Sequence, residues 1–282
     1  GFIIIDYNHD VIKEDMKDIL DITLKDLSLN GRELFNNKGE LGIHGYNHNP
    51  LLYYSKDINF EGLNYKPWIT QQDMAASTQE VLKYVKELFG KKVKLYTYVP
   101  PSNMMKEEGV KVVVENYPDL KTISSVFYGT DSEGVYVQEV GRNKLFPNIY
   151  NLPRFSSGFY YDSDEMWNIF NAFAIYGYWS HFVHPDDLIS TDRSQNKTWE
   201  QLKIEFEKTL TTFEEKLPFV NPMRSVDMTK KYMNIEDLEI YSEKRNNEIH
   251  IGIKNFRDNF ETLIRINGND KIKNISSGSF KE

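Results

Sequence analysis

Short apolar runs alternate with segments of helical period along most of the chain, and each run empties into polar residues. The runs are "FIII" at residues 2–5, "ELGIH" ending at His44, "VKLYTYVPP" ending at Pro101, "LKTISSVFY", and "YGYWSHFVHP". A helix is expected between the first two, from roughly Ile12 to Leu27. Another opens at the capping pair Thr70-x-x-Asp73 and keeps Met74, Val81, Leu82, Val85, Leu88 and Phe89 in helical period up to Gly90. "NMMKEEGVKVVVENY" reads as a third, and Asp162 or Ser163 opens a fourth that runs to about Tyr176. Thr198-x-x-Gln201 opens a fifth, with Leu202, Phe206, Leu210, Phe213 and Leu217 on one stripe. Such alternation predicts an α/β fold with a largely parallel sheet. Sites in these folds sit at the C-terminal ends of the strands.

The pattern changes after about Met233. "LEIYS", "EIHIGIK", "TLIRIN" and "KIKNI" are short alternating segments separated by "EKRNN" and "NGND". Two parts are therefore expected: an α/β domain over residues 1–232 and a small antiparallel β appendage over 233–282. The chain opens on "GFIII" without an initiator Met, as an excised or processed form would.

Composition removes whole classes of function. A net charge of −8 gives no electrostatic reason to bind nucleic acid. No stretch is apolar over the length needed for a transmembrane helix. There are no cysteines, which excludes disulfides, thiol nucleophiles and thiolate-bound metals. Any metal must be held by His, Asp or Glu.

The six histidines are unevenly spread. His44 and His48 share one polar loop, and two neutral imidazoles from one loop can converge on one ion. An isolated H-x-x-x-H is more often a solvated or core-satisfied pair. In "WSHFVHPDDL", His184 stands at a strand end, fixed by Pro185 and followed by Asp186 and Asp187, a placement that suits proton transfer. The bland alternative is a surface histidine beside a capping aspartate. Pro100 and Pro101 end a third strand and fix a groove floor. His9 lies between Asp6 and Asp10 after the first strand, and His250 alternates away from an apolar face. Two histidine clusters and a proline pair, each at a predicted strand end, shift the balance towards a site.

The order of these pieces resembles the polysaccharide deacetylases of carbohydrate esterase family four, the NodB-homology group, and within it a divergent bacterial branch of exopolysaccharide systems. "ELGIHGYNHNP" is similar to the family's H-[ST]-x-x-H metal motif, with Gly45 where Ser or Thr is usual. "TYVPPSN" is similar to its groove strand R-x-P-x-G, without the arginine. "HFVHPDD" is similar to the strand that ends in the catalytic histidine. The resemblance spans roughly residues 2–215. It implies an incomplete or distorted (β/α) barrel and metal-dependent removal of N- or O-acetyl groups from a bacterial polysaccharide. The implied ligands of a divalent metal, zinc foremost, are His44 and His48. The implied catalytic residues are His184, with His181 as the alternative, and Asp186 or Asp187 beside it. The family's aspartate strand is expected upstream of this chain, with Asp6 or Asp10 as the substitute within it. Tyr46, Pro100, Pro101 and Trp179 would line the acetylated polysaccharide, and Arg154 would replace the missing arginine. The family also implies an extracellular or cell-envelope location.

Two other readings compete. A glycoside hydrolase needs two carboxylates flanking a bond, and Asp186 and Asp187 are adjacent, so a partner would have to come from elsewhere. A non-catalytic polysaccharide- or partner-binding module would explain the missing arginine and aspartate motif.

Overall fold

The computed structural model describes residues 2–5, 24–53, 67–125, 139–188, 190–246, 248–258 and 265. In chain order the first elements are β1 (Phe2–Ile5), α1 (Leu24–Asn36), β2 (Gly42–Tyr46) and α2 (Gln71–Phe89). Next come β3 (Thr97–Tyr98), α3 (Glu107–Asn116), β4 (Thr122–Ile123), β5 (Gly141–Arg142) and β6 (Tyr150–Asn151). These six strands form one sheet in the order β1-β2-β3-β4-β6-β5. Every neighbouring pair is parallel except β5 with β6. A helix stands between each two consecutive strands from β1 to β4, so the α/β class predicted from the sequence is the one observed.

The parallel series continues past the sheet. β7 (Ser156–Ser157) pairs in parallel with β8 (His181–Phe182). The chain from β6 to β7 bonds on both sides. Leu152 and Arg154 donate their N–H groups to Ile123 and Ser125, while Phe155 and Gly158 donate theirs to Ser180 and Phe182. One extended segment thus carries the hydrogen bonding from β4 across to β8.

Local chemistry sets the helices. Thr70 and Asp73 cap α2 reciprocally, and the Gly90 N–H closes its end on Lys86. Its buried face is Met74, Val81 and Val85, which pack with Leu41, Ile43, Tyr98 and Ile123 of the sheet and with Val110 and Val113 of α3. Burying each such side chain contributes roughly 1.5–3 kcal/mol, enough to hold the valine-rich α3 helical against its weak propensity. The helix expected over Ile12–Leu27 lies mostly outside the described residues. What is described, α1, runs nine residues past its predicted end, from Leu27 to Asn36. Gly31 lets α1 approach α2: a Cβ there would lie 2.4 Å from Phe89 Cε1. Ser28 adds a hydrogen bond to the Leu88 carbonyl.

The later helices are α4 (Ser163–Tyr176), α5 (Thr191–Ser194), α6 (Trp199–Lys216) and α7 (Ser225–Asp237). Asp162 caps α4, and Thr198 with Gln201 forms the predicted capping box of α6. No sequence signal pointed to α7. It is held at the start of the strands, where Glu40 accepts from Thr97 Oγ1 at 2.5 Å and from the Val226 N–H at 3.0 Å. A carboxylate on the first turn of a helix is favoured by the helix dipole. Thr229 also bonds Thr122, hydroxyl to hydroxyl. The strands' N-terminal ends therefore carry stability, and their C-terminal ends remain for a site.

Compact units divide inside α7, between Lys231 and Tyr232. The second unit contains the antiparallel pair β9 (Glu239–Arg245) and β10 (Glu248–Lys254), with Ile253 opposite Ile240. The predicted strands "TLIRIN" and "KIKNI" fall, apart from Arg265, outside the described residues. Among the described residues no helix is long and apolar enough to cross a membrane.

Candidate functional site

Strand β2 turns over at its end in a way that aims two histidines. Gly45 has φ +81°, and Asn47 and His48 have φ +53° and +54°. The Asn49 N–H closes the turn on the Tyr46 carbonyl. Positive φ at both central residues is the signature of a type I′ turn. Asn and His tolerate it better than most residues, at a cost that persists where the surroundings fix it. Gly45 faces Pro101, and a Cβ there would meet the proline Cγ at 2.6 Å. Pro100 and Pro101 are both buried, and Pro101 packs close against the Gly45 backbone just before the turn.

The result is a paired imidazole arrangement, with His44 and His48 ring centroids 4.8 Å apart and nearly perpendicular. His44 Nδ1 lies 2.9 Å from the Val99 carbonyl. A carbonyl only accepts, so Nδ1 carries the proton and Nε2 keeps its lone pair. Burial pushes the His44 pKa down to about 4, against a smaller upward pull from the Val99 hydrogen bond. The charges of His48, Arg154 and His184 lower it further. His44 is thus neutral at pH 7, in the tautomer that a nitrogen ligand needs, with its other nitrogen braced by a backbone carbonyl. Two imidazoles side by side are the donor type a divalent metal takes, but they make only two ligands. Among the described residues no group of three or more His, Asp or Glu could hold one, so a third ligand would come from outside them.

The same electrostatic neighbourhood joins segments far apart in sequence. Arg154 is buried at 7% exposure, its guanidinium bonded to Asn103 Oδ1 and stacked 4.0 Å over the Phe182 ring. Ser125 Oγ donates to the Asn103 carbonyl. Phe182 in turn meets His184 edge-on, centroids 5.2 Å apart. His184 Nδ1 lies 3.7 Å from Asp187 Oδ1, and Arg193 Nη1 lies 3.0 Å from the same oxygen. The C-terminal ends of β2, β3, β4, β6 and β8 therefore all contribute.

A model of an uncharacterised protein family conserved in bacteria, DUF2194, matches residues 1–282. The chain belongs to the DUF2194 family. No curated protein matches it. Membership in DUF2194 assigns no chemistry, so the site is read from its geometry.

His181 sits apart from this cluster. Its Nε2 donates to the Gly158 carbonyl at 2.8 Å, and its Nδ1 accepts from Ser156 Oγ at 2.7 Å. Ser156 Oγ accepts from Trp179 Nε1, also at 2.7 Å. Both nitrogens are thus engaged, and desolvation lowers the His181 pKa. Trp179 packs on Phe213 of α6, with centroids 4.5 Å apart, and His181 on Phe206. His181 and Trp179 therefore lie under the helix, while Phe182 and His184 lie with Arg154. Tyr46 ends β2 and packs half-buried against the core. Asp6 lies outside the described residues, as does the side chain of Asp186.

Sequence reading missed Asn103, Phe182 and Arg193. Asn103 follows Ser102, both at positive φ (+58° and +50°), and "PPSN" carries the composition of a tight turn. That signal predicts a turn but not that its amide would anchor a buried arginine.

Proposed function

We propose that this chain is a metal-dependent deacetylase of a bacterial polysaccharide, on a barrel-like fold of the polysaccharide deacetylase type. The observation that carries the reading is the electrostatic neighbourhood shared by His44, His48, Arg154 and His184 at the C-terminal ends of β2, β6 and β8, with His44 neutral and its Nε2 lone pair available. His44 and His48 would hold a divalent ion, zinc foremost. The chemistry such an ion supplies is polarisation of the acetyl carbonyl and activation of water.

The chain's own residues do the rest. His184 gives a proton to the departing amine or alkoxide as the acyl C–N or C–O bond breaks. Asp187 orients that imidazole. A carboxylate takes the proton that water loses as its oxygen bonds to the acyl carbon; the resemblance places that aspartate on a strand upstream of this chain, with Asp6 or Asp10 as the substitute within it. Acetate and a free amino or hydroxyl group are the products. Arg154, held by Asn103, adds positive charge beside the developing oxyanion.

Zinc content by mass spectrometry and zinc affinity by calorimetry test this, on the parent and on His44→Ala, His48→Ala and Asp6→Asn. One ion per chain is expected, with binding weakened at least about 100-fold in His44→Ala. Acetate release from acetylated polysaccharide should fall with it. A parent chain that binds no ion removes the proposal. Retention of polysaccharide without acetate release would instead mark a binding module.

A further inference from the structure

We propose that Arg193 is a positioning residue for His184, acting through the buried carboxylate of Asp187. The inference rests on the reading of His184 as the proton donor. Residues 184–187 close on themselves: the Asp187 N–H donates to the His184 carbonyl at 2.9 Å, and the His184 N–H donates to Asp187 Oδ2 at 3.3 Å. Asp187 is only 5% exposed. Its Oδ2 is therefore satisfied by backbone, while its buried Oδ1 accepts no aligned hydrogen bond.

That oxygen lies between two cations, or one cation and one imidazole. Arg193 Nη1 approaches to 3.0 Å, close enough for strong charge attraction though its N–H is not directed along the contact. His184 Nδ1 stands at 3.7 Å, and hydrogen bonding there needs an approach of roughly 1 Å. A buried carboxylate needs a counter-charge, and Asp187 has two groups that can supply it. Arg193 is a permanent cation on α5, whose first turn is capped by Ser190. Its presence frees His184 from having to be the cation. The imidazole can then lose and regain a proton while the carboxylate keeps it aimed. Among the described residues the other groups around His184 do not take this role. Phe182 offers a ring edge, Arg154 is engaged with Asn103 and Phe182, and His44, on β2, is neutral.

The test uses the full chain in four forms: parent, Arg193→Gln, Arg193→Lys, and Arg193→Gln combined with Asp187→Asn. The His184 imidazole is followed by NMR against pH in zinc-free buffer, its signal assigned by loss in His184→Gln. Without Arg193 the charge of Asp187 falls on His184 alone, so its midpoint should rise by about one pH unit in Arg193→Gln. It should return towards the parent in Arg193→Lys, and the rise should vanish in the double variant. In steady-state acetate release, kcat should fall about tenfold in Arg193→Gln with KM within twofold, as a residue acting through His184 rather than on substrate requires. An unchanged or lowered midpoint overturns the proposal, as does a rise that survives without Asp187. If the NMR result holds but the parent releases no acetate, the deacetylase reading fails and the control of His184 by Arg193 stands.

Discussion

Placing at position 45 the Ser of the polysaccharide deacetylase motif that this loop resembles should damage this protein, and the structure gives the size of the effect. Gly45 has φ +81°, where an L-residue costs roughly 1–2 kcal/mol. A new Cβ would also lie 2.6 Å from Pro101 Cγ, about 1 Å inside ordinary carbon contact. Proline is a rigid ring, so the overlap must be relieved by the backbone, as in overpacked cores that lose about 1–3 kcal/mol. Gly45→Ser should therefore destabilise by roughly 2–5 kcal/mol in all. With a urea slope of about 3 kcal/mol per molar for a unit of this size, the unfolding midpoint should fall by on the order of 1 M.

The two terms separate in a double variant. Pro101→Ala removes the obstructing ring but leaves φ untouched, so in its background Gly45→Ser should cost only the dihedral share, roughly half. On the proposed metal reading zinc affinity should follow the same order, since the turn that bends aside carries His48 and adjoins His44. A Gly45→Ser midpoint within about 0.3 M of the parent would refute the steric account of the turn. So would equal losses with and without Pro101. The missing Ser or Thr of the motif would then need another cause.

Four further outcomes are expected. Gly109→Ala, normally worth up to about 1 kcal/mol of helix propensity, should instead destabilise by roughly 1–3 kcal/mol in urea unfolding, because its Cβ would meet the Leu51 carbonyl oxygen at 2.6 Å. Asn103→Ala leaves the buried Arg154 guanidinium without the amide it bonds; a loss of about 2 kcal/mol is expected by thermal melting, with acetate release falling in parallel. Ser156→Ala breaks the Trp179–Ser156–His181 chain and should cost about 1–3 kcal/mol by denaturation while zinc affinity stays unchanged. Finally, His44 titrates near 4 folded and at 6.5 in an ordinary chain. Between those values the unfolded chain binds the proton that the folded one refuses. Zinc-free protein should keep its full stability above pH 6.5 and lose about 2–3 kcal/mol on acidification to pH 4, and His181, also lowered, pushes the same way. Stability that rises on acidification would contradict the burial of His44.

Much of the α/β framework was legible because its signals are local. Thr70 with Asp73, Thr198 with Gln201 and Asp162 are caps written within four residues, and each starts the helix it predicts. The paired histidines were legible as a motif, since their loop needs only Gly45, Asn47 and a tight turn. Tertiary partners left no such trace. The extension of α1 past Leu27 depends on Phe89, fifty-eight residues beyond Gly31. Helix α7 depends on Glu40, which reads in sequence as one more polar residue before a strand. Asn103 and Arg193 act on side chains from other elements, and nothing in their own neighbourhoods marks them.

The two histidines of "SHFVHP" show where sequence reading stops. Both stand near one strand end, and composition treats them alike. Parity along β8 separates them, because successive side chains leave opposite faces. His181 goes with Trp179 to the face under α6, where Ser156 and the Gly158 carbonyl fill both nitrogens. Phe182 goes to the other face and meets Arg154 and His184. Beyond Phe182 the strand ends, so parity alone does not fix His184; the bonds of Asp187 back to its main chain do. A proton donor must keep one nitrogen for substrate. His181 has both occupied in a buried chain, and His184 meets its carboxylate only through Nδ1, which leaves Nε2 as the nitrogen to present. The preference for His184 was legible in strand parity, but the engagement of both His181 nitrogens rests on the pairing of β8 with β7, which no single-strand pattern contains.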